Sequence, residues 1–158
     1  MSAITLTILG EPASKANSRE LATIGPKDKR RTIVRKSDKA IDYEASALRQ
    51  IPPRARVRLE GPVRATLRIF YASERPDLDE SVILDVLQDR YKTVQEVGQT
   101  ARVLVQAGVY RNDRQVREKH IFHGVDRVNP RAEIVIEALQ PQQDPIAQDL
   151  GRVRSVTT

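Results

Sequence analysis

Cysteine is absent from these 158 residues, and so is tryptophan. Without thiols there is no disulfide, no cysteine-ligated zinc and no thiol nucleophile. Aromatic residues make up 4% of the chain. That scarcity argues against a single-strand-binding platform, where successive bases stack on rings. No apolar run approaches the ~18 residues of a membrane helix. The first ten residues, Met1 to Gly10, lack the basic start and long apolar segment of a signal peptide. Together these absences predict a soluble protein of the cytoplasm.

What is present is charge. The composition is 39% hydrophobic and 30% charged, with a net charge of +6 and a pI near 9.9. The apolar share is enough for a core, and the length suits one domain. The basic excess favours an acidic partner, nucleic acid above all. It is concentrated. Between Lys15 and Lys36 stand eight basic residues, Lys15, Arg19, Lys27, Lys29, Arg30, Arg31, Arg35 and Lys36, against Glu20 and Asp28. The segment alone carries the whole excess. It shows no clear period and reads as a mobile basic loop that touches phosphates. Such contacts give affinity without sequence readout, and strong salt dependence.

Periodicity orders the rest. Ile4, Leu6 and Ile8 alternate with threonines, a half-buried strand. Ser37 or Asp38 caps a helix through Gln50, with Ile41, Ala45 and Leu48 on one face, and Pro52-Pro53 stops it. Residues 63–71 give the clearest strand, Val63, Ala65, Leu67, Ile69 and Tyr71 alternating with Arg64, Thr66 and Arg68. Val82, Ile83, Val86 and Leu87 have helical spacing. So do Val94, Val97, Ala101, Leu104 and Val105, a second helix ending at Gly108. Residues 115–125 and 132–139 read as closing strands, joined near Val128-Asn-Pro130. From Pro141 to Thr158 the composition predicts a disordered tail. The order β, α, β, α, (α), β, β predicts an α+β fold: one domain over 1–140, with a small mixed sheet and helices packed on it.

Against the basic background, three aspartates stand out. Asp77 and Asp79 lie where a loop meets a helix, and an extended segment points residues i and i+2 the same way. Asp113 follows in the run Gly108-Val-Tyr-Arg-Asn-Asp-Arg-Gln-Val116. Hard carboxylate oxygens suit magnesium, or manganese, acting on a polyanion. Plainer roles compete. Asp79 suits a helix start, where capping and dipole terms are worth about 0.5–2 kcal/mol. Asp77 can pair with Arg75, and Asn112-Asp113 suits a turn.

Arg75-Pro-Asp-Leu-Asp-Glu80 before an apolar helix, and Gly108-Val-Tyr-Arg-Asn-Asp-Arg-Gln-Val116 before a strand, together resemble the RusA family of Holliday junction endonucleases, often encoded by prophages. The strand ending Gly10-Glu-Pro12 and the Lys15 loop are similar too, so the resemblance spans about residues 3–139. It implies a RusA-like domain in which Asp77, Asp79 and Asp113 bind magnesium and are catalytic. The implied activity is phosphodiester hydrolysis at a four-way DNA junction, by a homodimer making paired nicks, in DNA recombination and repair within a bacterial or phage-infected cytoplasm. Lys15, Arg19, Lys27, Lys29, Arg30, Arg31, Arg35, Lys36 and Arg75 would hold DNA. Glu80, Asn112 and Glu118 are candidate supporting groups. The sequence departs from the family at Glu80 and Asn112, which replace Asn and Asp. It departs also at Ile83, where the family carries a lysine, whose work would pass to Arg75, Lys92 or Lys119. The stretch between the two motifs is longer by about one helix. A DNA-binding module without catalysis, or a metal-dependent nuclease for flaps or RNA, fits the same residues.

Two smaller features complete the reading. His120 and His123 are three apart in a strand and point to opposite faces, a poor metal pair. Arg54, Arg56 and Arg58 alternate, as a phosphate-contacting ridge or a solvated edge would.

Overall fold

The apolar alternation of residues 63–71 becomes the central strand of the computed structural model, which describes residues 3–14, 17–75 and 79–140. Along the chain run β1 (Ile4–Leu9), β2 (Arg19–Ile24), β3 (Arg31–Lys36), α1 (Asp38–Gln50), β4 (Val63–Tyr71), α2 (Ser81–Leu87), β5 (Arg90–Glu96), β6 (Gln99–Gln106), β7 (Val116–Val125) and β8 (Arg131–Ala138). Four strands form a mixed sheet in the order β1-β8-β4-β7. β8 runs antiparallel to both β1 and β4, while β7 runs parallel to β4. The fold is α+β, as the order of elements predicts. The two closing strands appear, but they do not pair with each other; both flank β4.

One face of the sheet is the core. Val63, Ala65, Leu67, Ile69 and Tyr71 of β4 are buried together with Ile134 and Ile136 of β8. Each fully buried large aliphatic side chain contributes about 1.5–3 kcal/mol. α1 and α2 cover this face. On α1 the buried stripe is Ala40, Tyr43 and Ala47, not the expected Ile41, Ala45 and Leu48: Ile41 is exposed and Leu48 only partly buried. Both stripes have helical spacing. The observed one puts Tyr43 and Ala47 in the core, while Ala40 lines a cleft beside α2. Ser37 caps α1 by accepting from the Ala40 N–H at 3.2 Å. On α2 the expected apolar face is the observed one, with Ile83, Val86 and Leu87 fully buried.

Two segments differ from the sequence expectation. Residues 19–36 are a hairpin of β2 and β3, not a loop. Residues 90–106 are a hairpin of β5 and β6, not a helix. In both, the polar and charged residues interrupt the alternation that marks a strand. In the second, Val94, Val97, Ala101 and Leu104 keep helical spacing by accident of a two-residue turn. Val97 and Gly98 form that turn with φ of 20° and 77°, and positive φ at both positions is what a tight hairpin turn needs. Gly98 is therefore the reversal point. The tail from Pro141, together with Lys15 and Asp77, lies outside the described residues.

Among the described residues no helix is long and apolar enough to cross a membrane.

Candidate metal and nucleic-acid site

α2 is short, apolar and tied down at both ends. Before it, the Asp79 Oδ1 accepts from the Ser81 N–H at 3.0 Å. Asp79 thus bonds into the first turn from one residue before the N-cap, Glu80, whose own side chain makes no capping bond. Behind it, the Tyr71 hydroxyl at the end of β4 is buried beside the Asp79 backbone. After the helix, the chain 108–110 returns beneath it. Val109 N–H donates to Leu87 O at 2.7 Å, and the Tyr110 hydroxyl donates to Leu84 O at 2.7 Å. Gly108 does not end a helix. It is there because a Cβ would lie 2.4 Å from the Gln88 backbone.

This return places Asp113 at the far end of α2, its N–H donating to Gln88 Oε1 at 3.2 Å. Asn112 and Gln115 close a capping box around the short 3-10 turn Asp113–Gln115. Asn112 therefore shapes the turn and spends its side-chain oxygen on the Arg114 N–H.

Between Asp79 and Asp113 stands a carboxylate that sequence reasoning passed over. Asp85 lines a cleft of about 70 Å³ with Asp79, Ser81, Arg19, Lys36 and Glu44. Burial pushes its carboxyl above the usual range, Lys36 opposes this, and the charges of Asp113 and Glu44 add to it. Asp85 thus feels acids from two other elements, Glu44 of α1 and Asp113. Its signal in the sequence is its isolation: it is the one charged residue in Ser81-Val-Ile-Leu-Asp-Val-Leu87.

The donor chemistry of Asp79, Asp85 and Asp113 suits a hard divalent cation. Among the described residues no three acids, histidines or cysteines are grouped closely enough to cage one. Magnesium needs no such cage, since it keeps several waters and takes one or two carboxylates beside a substrate phosphate.

Comparison of the sequence with protein-family models and with curated proteins gives no match.

The basic residues divide into two groups. Arg19 and Lys36, at the root of the β2–β3 hairpin, share the cleft with Asp79 and Asp85. Lys27, Lys29, Arg30 and Arg31 are exposed at the hairpin's tip. Arg35 is instead paired with Glu20 and, at 3.5 Å, with Asp38. Arg75 is held by Glu11 at 2.9 Å.

Glu80 is paired with Lys119 at 3.2 Å. Glu118, expected beside Asp113, instead pairs with Arg64 at 2.5 Å, on the sheet face turned away from the helices. The histidines do point apart, His120 beside Glu118 and His123 against Tyr71. The arginine alternation at 54–58 is no edge strand. Arg56 donates to Leu48 O at 2.8 Å and Ala107 O at 2.9 Å. Arg58 binds Asp89 at 2.8 Å. These two arginines join segments of the protein, and only Arg54 remains as an exposed cation of the three.

Ile83 is fully buried, so the position where the resemblance would place a lysine faces the core. Of the three substitutes named from sequence, Arg75 and Lys119 are engaged in ion pairs and Lys92 lies on the β5–β6 hairpin. The bases that line the cleft with Asp79 and Asp85 are Arg19 and Lys36, and Lys36 also donates to Glu44 at 2.6 Å.

A larger cavity, about 590 Å³, is elsewhere, at the carboxyl ends of the parallel strands β4 and β7, lined by Tyr71, Arg75 and His123 among others. It is a neighbour of the acid cleft through Tyr71 and not part of it.

Proposed function

We propose that this protein is a magnesium-dependent endodeoxyribonuclease of the RusA type, acting as a homodimer on branched DNA. One observation carries the reading: Asp79 and Asp85 line a cleft with Arg19 and Lys36 at the root of a basic hairpin, and the charge of Asp113 reaches Asp85. Burial and the charges of Asp113 and Glu44 raise the cost of ionising Asp85, which a cation beside it would offset. Bases beside them favour a phosphate.

In this reading Asp79, Asp85 and Asp113, with Asp77, hold the metal. When bound, the ion lowers the pKa of a coordinated water and offsets charge on the phosphate. Lys36 and Arg19 hold the scissile phosphate against the cleft. Lys27, Lys29, Arg30 and Arg31 hold the backbone beyond it, and manganese serves in place of magnesium.

The test pairs a synthetic four-way junction with a matched linear duplex, with magnesium or chelator. Wild-type protein nicks the junction with magnesium only. Asp79→Asn, Asp85→Asn and Asp113→Asn each lose at least a hundredfold in rate while still retaining DNA. Undiminished cleavage by all three variants would remove the acid cleft from the chemistry. Equal cutting of the linear duplex would leave a nuclease without junction preference.

A DNA-binding module without catalysis is the second reading, favoured by the buried Ile83 where the family has a lysine. It predicts junction retention that is the same with and without magnesium, and no nicking.

A further inference from the structure

The sheet face turned away from α1 and α2 takes no part in that chemistry. Its outward side chains are exposed or half-buried, among them Arg64, Thr66, Arg68 and Phe70 of β4 and His120 and Phe122 of β7. Aromatic side chains are few in this chain, but this face collects the free ones. Of the four tyrosines and two phenylalanines, Tyr43, Tyr71 and Tyr110 are buried. Tyr91 has the Arg102 guanidinium over it, 4.2 Å from its centroid. Both phenylalanines stand on the open face, and Phe122 is the most exposed ring of the six, at 54%.

Strand geometry sets the planar groups in a row. Residues two apart on a strand share a face and lie about 6.6 Å apart. His120 and Phe122 are such a pair on β7. The next outward position is Gly124, opposite Phe70 of β4. A Cβ on Gly124 would lie 2.9 Å from the Phe70 ring, so that ring lies across the glycine and continues the row. His120, Phe122 and Phe70 therefore follow one another along β7. Successive nucleotides of a stacked strand rise by about 3.4 Å, so an interval of about 6.6 Å takes one base between two rings.

The charges beside the row are spent except at one place. Glu118 and Glu137 are paired with Arg64, at 2.5 and 3.7 Å, and Glu133 with Arg131 at 3.0 Å. Glu118 also lies 3.9 Å from His120. Arg131 is over the Phe70 ring. Arg68 stands between Glu133 of β8 and Phe122 of β7 in the sheet register. It turns to the ring, 5.7 Å from the centroid, and makes no ion pair among the described residues. A cleft of about 420 Å³ opens here, lined by Thr66, Arg68, His120 and Phe122 among others.

We propose that this face binds single-stranded DNA, its bases stacking between His120, Phe122 and Phe70 and a phosphate meeting Arg68. Stacking asks for ring faces and no particular sequence, and an arginine beside the rings adds attraction. The face lies across the sheet from the acid cleft, so it stands whether or not that cleft cuts. Only the choice of DNA over RNA rests on the nuclease reading.

The chain has no tryptophan, so a Phe122→Trp variant reports on the site by its own fluorescence. Oligodeoxythymidylate quenches it, and an abasic strand of the same length and charge does not. A Val103→Trp variant, on β6, is quenched by neither. In titrations of the full chain, Phe122→Ala holds oligodeoxythymidylate about fivefold or more weakly, the low end of what one stacked base is worth. Its slope of log affinity against log salt is unchanged, because no phosphate contact is lost. Asp85→Asn binds the strand as wild type does, which separates this face from the nicking reaction. An unquenched Phe122→Trp variant, equal quenching by the abasic strand, a Phe122→Ala variant of wild-type affinity, or tighter binding of oligouridylate than of oligodeoxythymidylate would each overturn the proposal.

Discussion

The molecule carries two hairpins of similar length, β2–β3 and β5–β6, and their difference teaches how one chain builds two exposed ribbons with differently charged edges. Both leave apolar side chains in solvent: Leu21 and Val34 are cross-strand partners on the first, 75% and 60% exposed. Both are rooted on the same helix. The buried Glu44 of α1 takes Lys36 from the end of β3 and Arg90 from the start of β5, each at 2.6 Å. Burial pushes this carboxyl up, but the hydrogen bonds and charges of Lys36 and Arg90 outweigh it and hold it below the usual range. The edges then diverge. The first ribbon has seven basic residues and two acids between Arg19 and Lys36. The second has an edge, β6, with one charge, Arg102, folded back over Tyr91. Charge on an edge repels another strand and attracts a phosphate; its absence does the reverse.

The comparison breaks most sharply in nucleic-acid binding. Replacing Lys27, Lys29, Arg30 and Arg31 with Gln should lower affinity at low salt by orders of magnitude. The slope of log affinity against log salt should fall by about 0.9 for each phosphate that is no longer neutralised, while Lys92→Gln on the second ribbon leaves that slope nearly unchanged. A salt titration of junction binding checks both.

Next is the root peculiar to the second ribbon. Asp89 is buried and accepts from Arg58, from the Gly108 N–H at 2.8 Å and from the Tyr91 hydroxyl at 3.2 Å. Burial pushes its carboxyl up, yet these partners hold it below the usual range. Asp89→Ala leaves Arg58 and Gly108 without their partner and should cost about 3 kcal/mol in denaturant unfolding. Hydrogen exchange should quicken in β5 and β6 and not in β2 and β3.

The shared root is milder, because the Lys36 and Arg90 side chains are 53% and 34% exposed. Glu44→Gln should cost about 1–2 kcal/mol at neutral pH and quicken exchange at the roots of both ribbons. The folded-state pKa is depressed, so this stabilisation is present above the unfolded value of about 4.3. It is lost as pH falls through the folded value. Urea midpoints of wild type and variant should therefore converge on acidification.

The smallest effect is on the exposed apolar pair of the first ribbon. Leu21→Lys should change stability by less than about 0.5 kcal/mol, as the urea midpoint checks.

Much was written in the residues themselves. Strand β4 is strict alternation, and helix α1 is bounded by Ser37 and by Pro52-Pro53. Helix α2 follows from the spacing of Val82, Ile83, Val86 and Leu87, for period and caps are local properties. Asp79 and Asp113 were visible as acids out of place in a basic chain, and the prominence of the basic segment was plain from counting. What sequence could not resolve was whether residues 94–105 coil or extend, because Val-rich segments with three- and four-residue spacing suit either, and Gly98 decides only as a turn. Nor could it find Asp85. A lone acid in an apolar helix reads as a surface residue until the chain 108–113 is folded back beneath it. Glu44 and Asp89 were hidden for the same reason: a carboxylate's value lies in partners 46 and 31 residues away, Arg90 for one and Arg58 for the other. Local order is set by neighbours in the chain, and so the sequence by itself determined the elements and the sign of the charge. Only the tertiary structure decided which acids share a cleft, which bases reach it and which sheet face is left bare, because those depend on distances that exist only once the sheet has closed.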